Sequence, residues 1–153
     1  MTQEKPQEIF MIEKLYVKDL SLEIPNAPKI FLNKSQPTIE LNLNYSTTSI
    51  ENDLYHTILN LKVDAKVEKT QLYLVELQYA GIFQIKNIPD HTVEIIKEVE
   101  IPTIIYPYAR EVITDLIVKA GFQQLLLPPT NFVQIYHNKK NSSKNEASNK
   151  SFN

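Results

Sequence analysis

Residues 54–79, LYHTILNLKVDAKVEKTQLYLVELQY, decide the fold. Tyr55, Thr57, Leu59, Leu61, Val63, Ala65 and Val67 recur at every second position, while His56, Asn60, Lys62, Asp64, Lys66 and Glu68 fill most of the alternate ones. Side chains two apart share a strand face, so this is a strand with one side buried and one side wet. Glu68 and Lys69 interrupt it, and the alternation then resumes with Tyr73, Val75, Leu77 and Tyr79 on one side and Leu74, Glu76 and Gln78 on the other. A break this short joins antiparallel neighbours, because a parallel return needs a crossover of about a dozen residues or more.

The same period extends upstream. Ile39, Leu41, Leu43 and Tyr45 alternate with Glu40, Asn42 and Asn44, which gives another half-buried strand. Ile9 to Leu22 is rich in β-branched and aromatic residues, and Glu13-Lys14 breaks its alternation, as a bulge or twist would. Asp19 and Glu23 lie four apart there and share a face. Pro25, Pro28 and Pro37 then deny ladder bonds to IPNAPKIFLNKSQP, which predicts an extended crossover. Gly81, in YAGIF, allows a bulge or a close backbone approach.

Helical period takes over downstream. Asp90 to Glu98 reads either as a short helix or as extended chain. From Tyr106 to Ala120 a polar arc of Arg110, Glu111, Thr114, Asp115 and Lys119 opposes an apolar arc of Tyr108, Val112, Ile113, Leu116, Ile117 and Ala120. Pro107 suits a first turn, Asp115 and Lys119 make an i,i+4 pair, and Gly121 supplies a stop. The apolar arc is wider than one sheet face needs, which points to a second packing surface such as an oligomer. After the apolar loop LLLPP, Thr130 or Asn131 can cap a helix over 131–138 bearing Phe132, Ile135 and Tyr136. The expected fold is α+β with a four-stranded antiparallel sheet. Its organisation is a flexible segment at 1–8, one domain at 9–138 and a tail at 139–153 too polar to order itself.

Composition narrows the function. The chain has 153 residues, enough for one domain with a real core, and its 42% hydrophobic and 22% charged fractions are those of a soluble globular protein. The net charge of −2 conceals an asymmetry: Lys139, Lys140, Lys144 and Lys150 face only Glu146 from His137 onward, so the preceding body carries −5. An acidic body repels nucleic acid and attracts a basic protein partner. Without cysteine there is no disulfide, thiolate metal site or thiol nucleophile. MTQEKPQEIF lacks the apolar run of a signal peptide and no stretch reaches membrane-spanning length, so the expected place is the cytoplasm, without membrane insertion. His56, His91 and His137 lack ligand spacing, and Gly81 and Gly121 are the only glycines. Neither a phosphate loop nor a nucleophile elbow follows, and no catalytic, metal or cofactor site is expected.

Two surfaces remain. Asp19, Glu23 and Glu76, with Leu74 as an apolar neighbour, either keep a sheet face soluble or form an electrostatic dock. Ile30, Phe31 and Leu32 in the crossover, Leu125, Leu126 and Leu127 in the later loop, and Phe132 and Tyr136 in the last helix are either core or the walls of a groove for polypeptide.

KDLSLEIPNAP at 18–28, GIF at 81–83, YPYARE at 106–111 and LPPTNF at 127–132 stand in the order and spacing of the SecB family of bacterial export chaperones, which the chain resembles from about Phe10 to Tyr136. The resemblance implies a four-stranded antiparallel sheet with helices packed on one face, assembled as a dimer of dimers. It also implies an ATP-independent holdase that keeps preproteins unfolded and hands them to SecA, the translocation motor. Residue by residue, it places the motor dock on Asp19, Glu23, Leu74 and Glu76. It bounds the client groove by the crossover and the last helix, matching Ile30, Phe31 and Leu32 and Phe132 to Tyr136; with Leu125 and Leu127 from the apolar loop read above, the expected groove residues are Ile30, Phe31, Leu32, Leu125, Leu127, Phe132 and Tyr136. The chain departs from the family in two ways: Ser35 stands where many members have tryptophan, and the tail is basic where acidic tails are common. The rival expectations are a SecB-like chaperone dedicated to a toxin–antitoxin pair or single client, and a small-ligand carrier with an apolar pocket.

Overall fold

The alternation of residues 54–79 folds into two long neighbouring strands. In a computed structural model describing residues 2–150, β1 (Ile9–Glu23), β2 (Thr38–Glu51), β3 (Leu54–Val67) and β4 (Thr70–Lys86) form one antiparallel sheet in the order β1-β4-β3-β2. Residue 1 and residues 151–153, the extremes of the two terminal segments, lie outside the described residues. Both hairpins close in two residues: Asn52-Asp53, and Glu68-Lys69 with Glu68 in the left-handed region.

β1 shifts register twice against β4, once between Ile12 and Lys14 and again between Val17 and Asp19. The first shift is the interruption read at Glu13-Lys14. The second decides where the acids point. Val17 pairs with the inward-facing Tyr79; without the extra residue at Lys18, Asp19 would meet buried Leu77. Instead Asp19, Ser21 and Glu23 pair with Gln78, Glu76 and Leu74 on the outward face, while Leu20 and Leu22 turn inward.

Leu59, Leu61, Val63, Val75, Leu77 and Phe83 lie fully or almost fully buried beneath the helices. Gly81 carries no bulge; it pairs in step with Leu15 and Thr57. A Cβ there would lie 2.6 Å from the Phe83 ring and 3.0 Å from Leu15, so the close approach is by side chains.

The isoleucine- and valine-rich run after β4 is helical throughout. Helix α1 (Asp90–Ile95) passes through a π-helical turn (Ile96–Glu100) into α2 (Ile101–Lys119). The expected start at Tyr106 is therefore too late. Pro102 occupies the first turn of α2 and Pro107 lies inside it. Pro107 and Thr103, the residue whose carbonyl loses its usual partner, are both exposed, so water can serve that carbonyl. Ile101, Ile105, Ala109, Ile113 and Ile117 recur every fourth residue and bury one stripe on the sheet, whereas Tyr108 and Val118 stay exposed. The Asp115–Lys119 pair closes at 2.8 Å, and Gly121 ends the helix at φ +93°.

The crossover is not uniformly extended, since Lys29–Leu32 makes a 3-10 turn. Asn131 caps α3 (Phe132–Lys150), its side-chain oxygen accepting from Gln134 N at 3.1 Å. Where the tail was expected to lack order, α3 runs on as helix to Lys150. The described side chains from His137 onward are exposed, so no apolar burial accompanies that extension.

Candidate functional site

The outward face of the sheet is a grid built by register. Its first row is Asp19, Gln78, Asn60 and Asn44; the second is Ser21, Glu76, Lys62 and Asn42; the third is Glu23, Leu74, Asp64 and Glu40. Gln78 Nε2 donates to Asn60 Oδ1 at 3.0 Å, and Asn60 Nδ2 donates to Asn44 Oδ1 at 2.8 Å, forming an amide ladder across three strands. Lys62 Nζ stands 3.8 Å from Glu76 Oε1. Asp64 accepts from Gln71 Nε2 at 2.8 Å and lies 3.9 Å from Lys66 Nζ. Among the described residues Asp19 and Glu23 make no ion pair. Half-buried Leu74 sits between Glu23 and Asp64, an apolar point within an acidic row. The four candidate dock residues therefore share one face. Asp19 and Glu76 line a shallow hollow of about 370 Å³ there.

The second surface lies on the helix-covered side, near the β3–β4 turn. Ile30, Phe31, Leu72, Tyr73, Phe122 and Leu125 line an open trough of about 670 Å³. Phe31 stacks on Phe122 at 4.9 Å, and Phe122 leans on Tyr73 at 4.8 Å. Burial pushes the Tyr73 phenol above its ordinary 10.0. Sequence reading missed Phe122. The available signal was its place just after Gly121, where a residue past the helix stop folds back onto the last turn; its N–H bonds Ile117 O at 3.2 Å.

The expected groove residues separate. Ile30, Phe31 and Leu125 come together in the trough, with Ile30 buried in its wall. Leu32 points to solvent. Leu127, Phe132 and Tyr136 lie buried elsewhere. The Phe132 ring packs edge-on against Tyr45 at 5.5 Å and Tyr106 at 5.9 Å. Tyr45 Oη donates to Glu98 O at 2.9 Å, joining β2 to the π-helical turn, and Tyr106 Oη donates to Pro128 O at 2.6 Å, joining α2 to the loop before α3. His56 accounts for itself by stacking on Tyr16 and sharing a 2.6 Å hydrogen bond with its hydroxyl. No group of three or more His, Asp or Glu that could hold a metal occurs among the described residues.

The family model "Preprotein translocase subunit SecB" matches residues 3–143. The chain belongs to the SecB family. The protein-export protein SecB of Nitrosospira multiformis is 40% identical over 147 residues, covering 96% of this chain and 92% of that protein. The SecB of Aromatoleum aromaticum is 46% identical over 131 residues, covering 85% and 82%. Among solved structures, a SecB-like chaperone of Mycobacterium tuberculosis, in complex with a ChAD peptide from an antitoxin, superposes with a TM-score of 0.67 at 13% identity. The match covers 80% of this chain and 91% of that one, and it shows the shared fold. Membership makes the chain a protein-export chaperone and not an enzyme. No helix among the described residues is long and apolar enough to cross a membrane.

Proposed function

We propose that the chain is an ATP-independent holdase of the cytoplasm that captures non-native preproteins in the aromatic trough and delivers them to SecA through Asp19, Glu23, Leu74 and Glu76. The observation that carries this reading is the division of the sheet: an open apolar trough on the helix side, and on the other a grid in which Asp19, Glu23 and Glu40 stand outside any ion pair among the described residues, with one half-buried leucine. Rim carboxylates steer a basic partner, and an apolar residue among them holds it.

Holding needs no nucleotide. A client segment covering ~300 Å² of apolar surface gains on the order of 7 kcal/mol. Association and ordering cost about 4–15 kcal/mol, so one trough alone binds weakly. Several troughs gripping one long chain raise avidity by ~10²–10⁴. Assembly as a dimer of dimers would supply them, and the exposed apolar side chains of Met11, Ile12, Tyr108 and Val118 favour such assembly. Light scattering should then give four times the 17.7 kDa chain.

The double change Asp19→Lys, Glu76→Lys tests the dock. It should abolish binding to SecA and leave suppression of client aggregation intact. Unaltered SecA binding by the folded variant would refute the assignment. In a pull-down of newly made chains, those bearing signal peptides should be enriched; recovery of a single client would instead favour a dedicated chaperone.

A further inference from the structure

We infer that Gln78 determines the specificity of the docking face, making the contact at Asp19 a site for a guanidinium rather than an ammonium. The inference rests on the docking reading above. The hollow beside Asp19 is lined by Glu76 and Lys62 and otherwise mostly by amides, those of Asn44, Asn60 and Gln78 among them. Lys62 offsets Glu76 across the strands at 3.8 Å, which leaves Asp19 as the charge of the hollow with no counterion among the described residues. One uncompensated carboxylate among amides suits a single cation with several donors.

The amide ladder has a direction. Gln78 Nε2 donates to Asn60 Oδ1, and Asn60 Nδ2 donates in turn to Asn44 Oδ1. At its β4 end the ladder therefore leaves an acceptor, Gln78 Oε1, that takes no hydrogen bond among the described residues. Gln78 is also the direct cross-strand partner of Asp19. Directly opposed Cβ atoms lie about 5 Å apart, so one ligand group reaches both side chains. A guanidinium holds its N–H donors in a rigid planar fork: one edge takes the carboxylate and another the amide oxygen. An ammonium is a compact point charge that satisfies the carboxylate and gains less from the amide. The bond to Gln78 Oε1 thus favours arginine over lysine beyond what the carboxylate alone provides.

Two labelled nine-residue peptides of equal charge test this by fluorescence anisotropy at low salt with the full chain. One centres on Arg-Ser-Arg-Ser-Arg and the other on Lys-Ser-Lys-Ser-Lys, both with serine flanks. The wild type should prefer the arginine peptide. Gln78→Met keeps the length of the side chain and removes its oxygen, and should cut that preference about fivefold by weakening the arginine peptide alone. Asn60→Ala leaves both acceptors in place but frees Gln78 to turn, and should lower the preference in the same direction. Both residues are half-buried on the solvent face, so neither change opens the core. A wild type without preference, or a Gln78→Met variant that keeps it, overturns the role of Gln78. An unchanged ratio in Asn60→Ala refutes the ladder as what orients it. Asp19→Asn separates the two readings. If that change weakens both peptides while Gln78→Met leaves their ratio unaltered, only the inference fails. If it changes neither, or if neither peptide binds the wild type, the dock itself fails.

Discussion

Truncating Phe31 to alanine should loosen client capture while the fold survives. Phe31 is 42% exposed at the mouth of the trough, and its covered part rests on the Phe122 ring at 4.9 Å. A phenylalanine offers about 200 Å² of surface, so about 80 Å² is left for a client to cover. At ~25 cal/mol per Å² this is about 2 kcal/mol, or roughly a thirtyfold rise in Kd for one trough. Losing the roughly 120 Å² already covered costs the fold about 3 kcal/mol, and losing the ring stack on the order of 1 kcal/mol more, against about 5–15 kcal/mol for a typical domain. The assay is anisotropy of a short, labelled apolar peptide that fits a single trough, so that avidity does not mask the change. A thermal melt run alongside should fall by roughly 8–16 °C and still show one cooperative transition, so the peptide assay is run well below it. A folded Phe31→Ala variant with unchanged peptide affinity would refute the trough as the capture surface.

Other consequences are as direct. Gly81→Ala would bring a Cβ to 2.6 Å from the Phe83 ring, which is fully buried and has no room to retreat. Its urea midpoint should fall with a loss of about 1–3 kcal/mol, and an unmoved midpoint would contradict the packing at this site. Burial holds the Tyr73 phenol above 10.0, so beyond that pH the folded chain keeps a proton that the unfolded chain has released. Stability should therefore decline as pH climbs through 10.0, and the decline should be shallower in Tyr73→Phe. Urea titrations from neutral to alkaline pH measure both slopes.

The sheet is legible in the sequence because the two-residue period is local and each strand states its own inner face. The direction of the acids was also written there, though less openly. Apolar parity in β1 runs through Ile12, switches to Leu15 and Val17, and switches back to Leu20 and Leu22, once at each bulge. The helices are less legible. Residues 90–105 are rich in β-branched side chains that suit either state, and packing of Ile101 and Ile105 on the sheet decides for helix. The trough was only half visible, since its aromatic stack joins Phe31, Tyr73 and Phe122 across distant segments. Phe132 looked like a groove residue for the same reason: a ring on a short helix does not announce whether it faces Tyr45 or water.

A single layer of backbone separates Tyr73, on the floor of the trough, from Leu74, on the grid outside. Occupying one side need not disturb an atom on the other. In the proposed cycle a laden carrier and a vacant one would look alike to the motor from the outside. Any preference for full carriers must then come from the cargo reaching the motor directly, and unloading must be a pull on the passenger instead of an eviction from its seat.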